Sequence, residues 1–262
     1  MKIVDTFIFY NEITMLLYRF EILDPVVDYF ILVEATHTHV GKEKKLFFNE
    51  NKHLFEKYAA KIIHIIVDDF PHKYPNIIIE NSEQWKNENF QRDCIARGID
   101  KLTLADDDII IISDVDEIPD PILLSEFKRL NQWVTINSLE QDFYYYNLTT
   151  KMTEKWYMAK IISYATYKLL KCTCNQLREY EDCSFVFPGG WHLSYFGDTK
   201  FIQNKIQNFA HQEYNKEDIL STIHEKVKDS VDILGREIKF TKVPILENKY
   251  LPPLYQKLIL YL

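Results

Sequence analysis

From the amino terminus the chain alternates short apolar runs with stretches of helical character. Ile3–Phe9 reads as a strand, Ile13–Leu23 as a helix and Tyr29–Glu34 as a second strand. A helix near Asn51–Ala60, a strand over Lys61–Val67, a long helix over Glu83–Thr103 and the strand Ile109–Ser113 continue the alternation. Strands separated by helices that reach across a sheet are joined by right-handed parallel crossovers. This half therefore predicts a doubly wound α/β sheet with helices on both faces. The run Ile109–Ile112 is apolar at every position instead of alternating, the mark of a central parallel strand covered on both sides. Further on, SLEQDFYYYNLTT and WYMAKIISYATYK read as aromatic-rich strands, FPGGWHLSYFGD as a loop and Thr199–Glu213 as a helix. Antiparallel strands are expected in this second half. The tail ENKYLPPLYQKLILYL is apolar enough to dock on the domain and too short to span a bilayer.

The 6 glycines and 9 prolines are dispersed, with no low-complexity linker or internal repeat, so residues 1–262 read as one domain. Acidic residues outnumber basic ones by 39 to 31, a net charge of −8, and no run of Lys or Arg could track phosphates; nucleic acid is excluded as a partner. No stretch reaches the roughly 18 to 20 apolar residues of a membrane span, and Asp5 and Glu12 interrupt the region a signal peptide keeps apolar. A chain in the cytoplasm or another soluble intracellular compartment is expected. Cys94, Cys172, Cys174 and Cys183 lack CxxC spacing and read as free thiols.

Chemistry concentrates in IIIISDVDEIPDP, residues 109–121, where the apolar strand runs into Asp114, Asp116, Glu117 and Asp120. In an extended segment residues two apart point the same way, so Asp114 and Asp116 are expected to aim at one point beyond the strand's carboxyl end. Open α/β sheets collect their ligands there. Two unpaired carboxylates held close repel each other. Mg²⁺ or Mn²⁺ removes the repulsion and usually sits between carboxylates and substrate phosphates. Asp120 between two prolines reads as a turn, and Glu117 as a supporting group. A second reading is a phosphatase of the haloacid-dehalogenase type, with Asp114 as nucleophile and Asp116 as general acid. Glu117 and Ile118 depart from that pattern, and Glu181-Asp182, the nearby acidic pair, follows no strand. A third is a catalytically silent sugar-binding module.

Six stretches in order, TFIFYNE, DYFILVEATHTHVGK, KIIHIIVDDFP, ENFQRD, DDDIIIISDVDEIP and GGWHLSYFG, resemble glycosyltransferase family 17, the β-1,4-N-acetylglucosaminyltransferase family. KYLPP adds a weaker echo. The resemblance implies a GT-A-like, Rossmann-type, mostly parallel sheet, a UDP-GlcNAc donor, Mn²⁺ or Mg²⁺, a glycan acceptor and inversion at the anomeric carbon. Residues 1–117 would form the nucleotide-sugar half and 118–262 the half that completes the metal and acceptor sites. Asp114 and Asp116 are then the family's DxD, Asp116 binding the metal and Asp114 touching ribose or a bridging water. A metal held there stabilises charge developing on the departing UDP.

On the same resemblance His192 is the remaining metal ligand. Trp191 and Tyr195 can stack on acceptor sugars, though core packing explains them as well. Asn11 and Glu12 after the first strand, and Glu34 ending the second, stand where GT-A folds grip the nucleotide; helix capping competes for Asn11. Asn89 and Arg92 share a helix face and can reach diphosphate or ribose, against a plain i, i+4 pair of Arg92 with Glu88. His37, His39, Gly41 and Lys42 form a loop that can close over phosphates or simply be solvated. The acceptor hydroxyl needs a base outside the metal site: Asp198, heading a helix, or alternatively Asp142, with N-capping the rival for Asp198. Animal members of the family are Golgi proteins with an amino-terminal anchor, whereas this chain begins almost at its first core strand. That departure points to a soluble microbial or viral enzyme acting on a different glycan.

Overall fold

The computed structural model describes residues 1–261. Its first half contains β1 (Ile3–Phe9), β2 (Tyr29–Ala35), β3 (Ile62–Val67) and β4 (Ile109–Asp114), all mutually parallel and ordered β3-β2-β1-β4. The chain steps outward from β1 to β3 and then crosses back to lay β4 on the other flank of β1. Strand order therefore reverses between β1 and β4, which makes their carboxyl ends a switch point, the usual site of ligand crevices in such sheets. The isoleucines of β4 explain its central place. Ile109 and Ile111 join one core cluster while Ile110 and Ile112 join another, and all four are fully buried. Each such side chain withdrawn from water stabilises the fold by about 1.5–3 kcal/mol.

The second half adds β5 (Glu117–Pro119), β6 (Ile136–Tyr145), β7 (Thr150–Met152), β8 (Lys160–Ser163), β9 (Ser184–Ser194) and β10 (Phe240–Lys242). β8 runs antiparallel to both β4 and β6, β9 lies parallel to β6, and β5 runs antiparallel to β9. Among the described residues the result is one mixed ten-stranded sheet in an α/β fold.

Several expected elements shift. The long helix divides into Glu83–Asp93 and Ile95–Ile99. Gly98 lets the second piece press on β2, since a Cβ there would lie 2.4 Å from Ile31 Cγ2. Residues Lys52–Lys61 form a 3₁₀ helix, whose three-residue period puts the buried Phe55 and Tyr58 on one side. WYMAKIISYATYK yields only β8, because Ser163 caps a helix over Tyr164–Leu170, its hydroxyl accepting from Thr166 N. FPGGWHLSYFGD is mostly strand β9. Its glycines permit backbone crowding: a Cβ on Gly190, at φ +117°, would stand 2.1 Å from the carbonyl oxygen of Ile118, and one on Gly189 2.5 Å from Glu140 N. The helix that follows ends at Asn208. The tail docks as expected, with Leu258 buried in the core and Tyr18 donating to the carbonyl of Pro253 at 2.6 Å. Cys94, Cys172, Cys174 and Cys183 are free thiols. Among the described residues no helix is long and apolar enough to cross a membrane.

Candidate active site

A cleft of about 560 Å³ opens at the carboxyl ends of β1, β2 and β4, a size typical of small-ligand sites. Tyr10 and Glu12 enter it from the end of β1, His37, Thr38 and His39 from the end of β2, and Asp114, Val115 and Asp116 from the end of β4. The helix Glu83–Asp93 contributes Trp85, Glu88, Asn89 and Arg92, while the second half supplies Trp156, Met158, Arg178, Glu179, His192, Tyr195 and Lys205.

A buried arginine sets the shape of the acidic turn. Arg19, on the helix Ile13–Leu23, is fully buried and gives Nε and Nη2 to Asp5 at 2.7 and 2.5 Å. Its Nη1 donates to the carbonyl oxygens of Asp114, Val115 and Glu117 at 2.9, 3.1 and 2.9 Å, and Nη2 also reaches Ser113 Oγ at 2.7 Å. Burying a charge is unfavourable unless it is paired and its donors are satisfied, and here both conditions are met.

The turn fans its acids apart. Asp114 closes β4, but Val115 and Asp116 form a turn before β5, so the two-residue alternation that would make Asp114 and Asp116 parallel does not apply. Asp114 Oδ1 lies 3.2 Å from Arg92 Nη2 and Oδ2 lies 2.9 Å from Arg178 Nη2. Burial opposes its ionisation, yet Arg178 and Arg92 outweigh burial and hold the carboxyl well below the usual range. Asp116 turns to the other wall, with Oδ2 3.0 Å from Lys205 Nζ and Oδ1 3.7 Å from His192 Nε2. There too burial is outweighed, by Lys205 and then His192, and the carboxyl stays low. Burial would discharge Lys205, but Asp116 and Glu12 raise it above an ordinary lysine. Burial lowers His192 and its neighbour Asp116 only partly offsets this, which leaves a neutral imidazole stacked on Phe143 at 4.3 Å. Its Nδ1 is buried without a hydrogen-bonding partner. Glu117 points inward, accepting from Asp114 N at 2.8 Å, Trp156 Nε1 at 2.5 Å and Arg178 Nη1 at 2.5 Å.

The profile of glycosyltransferase family 17 matches residues 1–242. The chain belongs to this family. It is 30% identical over 122 residues to the β-1,4-mannosyl-glycoprotein 4-β-N-acetylglucosaminyltransferase of Rattus norvegicus, covering 45% of this chain and 22% of that protein. It is 32% identical over 113 residues to the protein of the same name from Homo sapiens, covering 42% and 20%. The matched part spans about a fifth of the length of these curated relatives. Both are mammalian proteins and lend no support to the microbial or viral source anticipated from the sequence.

In this family 17 chain Glu12, Asn89, Arg92, Asp114, Asp116, His192 and Tyr195 all line the cleft, as do His37 and His39 of the loop after β2; Gly41 and Lys42 do not. Arg92 satisfies both accounts of it, binding Glu88 at 3.0 Å as well as Asp114. Five expected residues lie elsewhere. Asn11 reaches across to Asn204 Oδ1 at 3.2 Å and caps nothing. Glu34 is buried near the end of β2, between β1 and β3, accepting from Phe48 N at 3.0 Å and lying 3.0 Å from His64 Nε2. Trp191 is buried, its Nε1 donating to the carbonyl of Tyr250 at 3.1 Å. Asp142 is buried between Lys151 and Lys155, each at 2.5 Å. Asp198 is exposed and accepts from Phe201 N at 2.7 Å, the N-cap role that competed for it. Asp114, Asp116 and His192 do not converge, and among the described residues no three His, Cys, Asp or Glu side chains are grouped to hold a metal.

The phosphatase reading loses its parts, because Asp114 is occupied by two guanidinium groups and Glu181 and Asp182 are exposed outside the cleft. Arg178, Lys205, Trp156 and Glu179 were missed. For the first a signal existed: Thr173 and Gln176 form a capping box that starts the helix Cys174–Arg178 and sets Arg178 in its last turn.

Proposed function

We propose that this chain is a metal-dependent, inverting glycosyltransferase of GT-A type that moves GlcNAc from UDP-GlcNAc to a hydroxyl of a glycan. The observation that carries the proposal is the meeting of Asp116 Oδ1 and His192 Nε2, 3.7 Å apart, in a cleft at the switch point whose walls carry Arg92, Arg178, Lys44 and Lys205. The relatives' names, which specify N-acetylglucosaminyl transfer, support the choice of sugar.

Two donors that each sit about 2.1 Å from one ion lie roughly 3 to 4 Å apart, so Asp116 and His192 fit a single Mn²⁺ or Mg²⁺ whose other positions belong to diphosphate and water. The neutral imidazole has the lone pair such a bond needs. Asp114 does not fit as a direct ligand, since both its oxygens are held by Arg92 and Arg178. It acts instead by fixing those two guanidinium groups at the cleft wall, where they can meet the donor's phosphate oxygens. The bound ion would stabilise the charge that develops on the departing UDP.

Deprotonating the acceptor hydroxyl calls for a carboxylate that no cation has already claimed. Glu12, Glu88, Asp114 and Asp116 are ion-paired, whereas Glu179, among the described residues, lines the cleft outside any ion pair. Glu179 therefore takes the role first given to Asp198 or Asp142. The test is UDP release from UDP-GlcNAc, which should require Mn²⁺ or Mg²⁺ and vanish in Asp116→Asn. Release that persists in a chelator or in that variant refutes the proposal.

A further inference from the structure

The two oxygens of Asp116 face different partners. Oδ1 lies 3.7 Å from His192 Nε2, while Oδ2 accepts from Lys205 Nζ at 3.0 Å. A second carboxylate and a ring share that ammonium: Glu12 Oε1 stands 3.9 Å from it, beyond hydrogen-bond length but near enough to attract, and it lies 5.6 Å from the centre of the Tyr195 ring. Glu12 is itself fixed, its Oε2 accepting from Tyr10 N and Asn11 N at 3.1 and 3.0 Å. One residue before Lys205, Asn204 Oδ1 accepts from the Tyr10 hydroxyl at 2.8 Å and from Asn11 Nδ2 at 3.2 Å, which ties the helix Thr199–Asn208 to the end of β1. Lys205 therefore has a set place in the cleft wall.

An ammonium carries three N–H groups, and here one is spent on Asp116. The side chain is half-buried and lines the cleft, so donors remain for a ligand. That placement acts in opposite directions on two kinds of ligand. A bare divalent cation on Asp116 Oδ1 and His192 Nε2 must share its carboxylate with a fixed positive charge, and like charges that close repel strongly where water is partly excluded. A cation that arrives with a diphosphate brings negative charge that offsets its own. The phosphate oxygens can then accept from Lys205, and repulsion gives way to charge-assisted hydrogen bonding. Two ligands that each bind better in the presence of the other are coupled, and the coupling is reciprocal.

We propose that Lys205 couples metal binding to nucleotide binding: it weakens the hold of Asp116 and His192 on a bare divalent cation and strengthens the binding of that cation with a nucleoside diphosphate. The inference rests on the metal and nucleotide reading above and adds to it the residue that makes the two enter together.

The test uses the full chain, Lys205→Met, which keeps the length of the side chain without its charge, and Lys205→Arg, which keeps the charge. Should Lys205→Met fail to fold, as judged by circular dichroism, Lys205→Gln takes its place, since an amide can still hydrogen-bond Asp116. Mn²⁺ alone and Mn²⁺ premixed with UDP are titrated into each protein by calorimetry. The neutral variant should bind Mn²⁺ alone about tenfold more tightly than the natural chain and the premixed complex about tenfold more weakly, and Lys205→Arg should show neither change. This opposition of sign is the signature, because a lysine that only supports the fold would move both affinities the same way. If the natural chain binds the premixed complex and the neutral variant shows any other pattern, the coupling role of Lys205 is refuted and the metal and nucleotide reading stands. If the natural chain binds neither Mn²⁺ nor the premixed complex, that reading fails and the coupling falls with it.

Discussion

Replacing Arg19 with Met tests how the acidic turn is held. The substitution keeps a long side chain but strips Asp5 of its partner at 2.5 Å, in a place where both groups are fully buried. Removing one member of a buried ion pair costs about 3–5 kcal/mol, because the other charge is left without compensation. The carbonyls of Asp114, Val115 and Glu117 also lose a donor, each worth about 1 kcal/mol net. Equilibrium urea unfolding followed by circular dichroism should therefore find Arg19→Met less stable by about 6–8 kcal/mol, a large share of the 5–15 kcal/mol of a typical domain. Adding Asp5→Leu removes the stranded charge and should restore about half of the loss. It cannot restore the three carbonyl contacts, so the double variant should fold yet bind UDP-GlcNAc and Mn²⁺ poorly, since Asp116 is aimed by that turn. A loss below about 1 kcal/mol for Arg19→Met, or a double variant no more stable than the single, would refute the reasoning.

Two further results are expected. Glu179→Gln should lower kcat by about 10²–10⁴ while leaving the metal-dependent binding of UDP-GlcNAc intact, and an unchanged kcat removes Glu179 as base. Burial pushes the Cys94 thiol up to about 11 and that of Cys174 up to about 12, so at about pH 8 peptide mass spectrometry should find iodoacetamide on the half-buried Cys172 and Cys183 long before the other two. Equal labelling of all four in the native chain contradicts the packing described around Cys94 and Cys174.

The parallel half was legible because its signal is local. A run such as Ile109–Ile112 buries both faces of a strand, and nothing distant is needed to see it. The second half was harder for a stated reason: Gly189 and Gly190 look like a turn in sequence, and only the nearness of Ile118 and Glu140 reveals that they are there so that strands can crowd. The same limit governs the site. The place of Asp114 and Asp116 at the cleft follows from their position after a buried strand, but their directions depend on a turn at Val115–Asp116 and on cations that arrive from far along the chain, Arg178 and Lys205. Pairings of that kind leave no periodicity. Trp191, Asp142 and Asp198 had the right chemistry for acceptor and base, and three-dimensional packing gave each of them to a structural partner.

The central claim, a nucleotide-sugar site completed by a metal on Asp116 and His192, is tested most directly by thermal shift. The natural chain, Asp116→Asn and His192→Ala are each melted with a panel of nucleotide sugars, with and without Mn²⁺. Ligand at about 100 times its dissociation constant stabilises the folded chain by about 2.7 kcal/mol. For a chain of this size that is a rise of roughly 5–10 °C. UDP-GlcNAc with Mn²⁺ should give that rise in the natural chain and in neither variant. No rise with any nucleotide sugar in the presence of metal, or the same rise in Asp116→Asn, would contradict the claim.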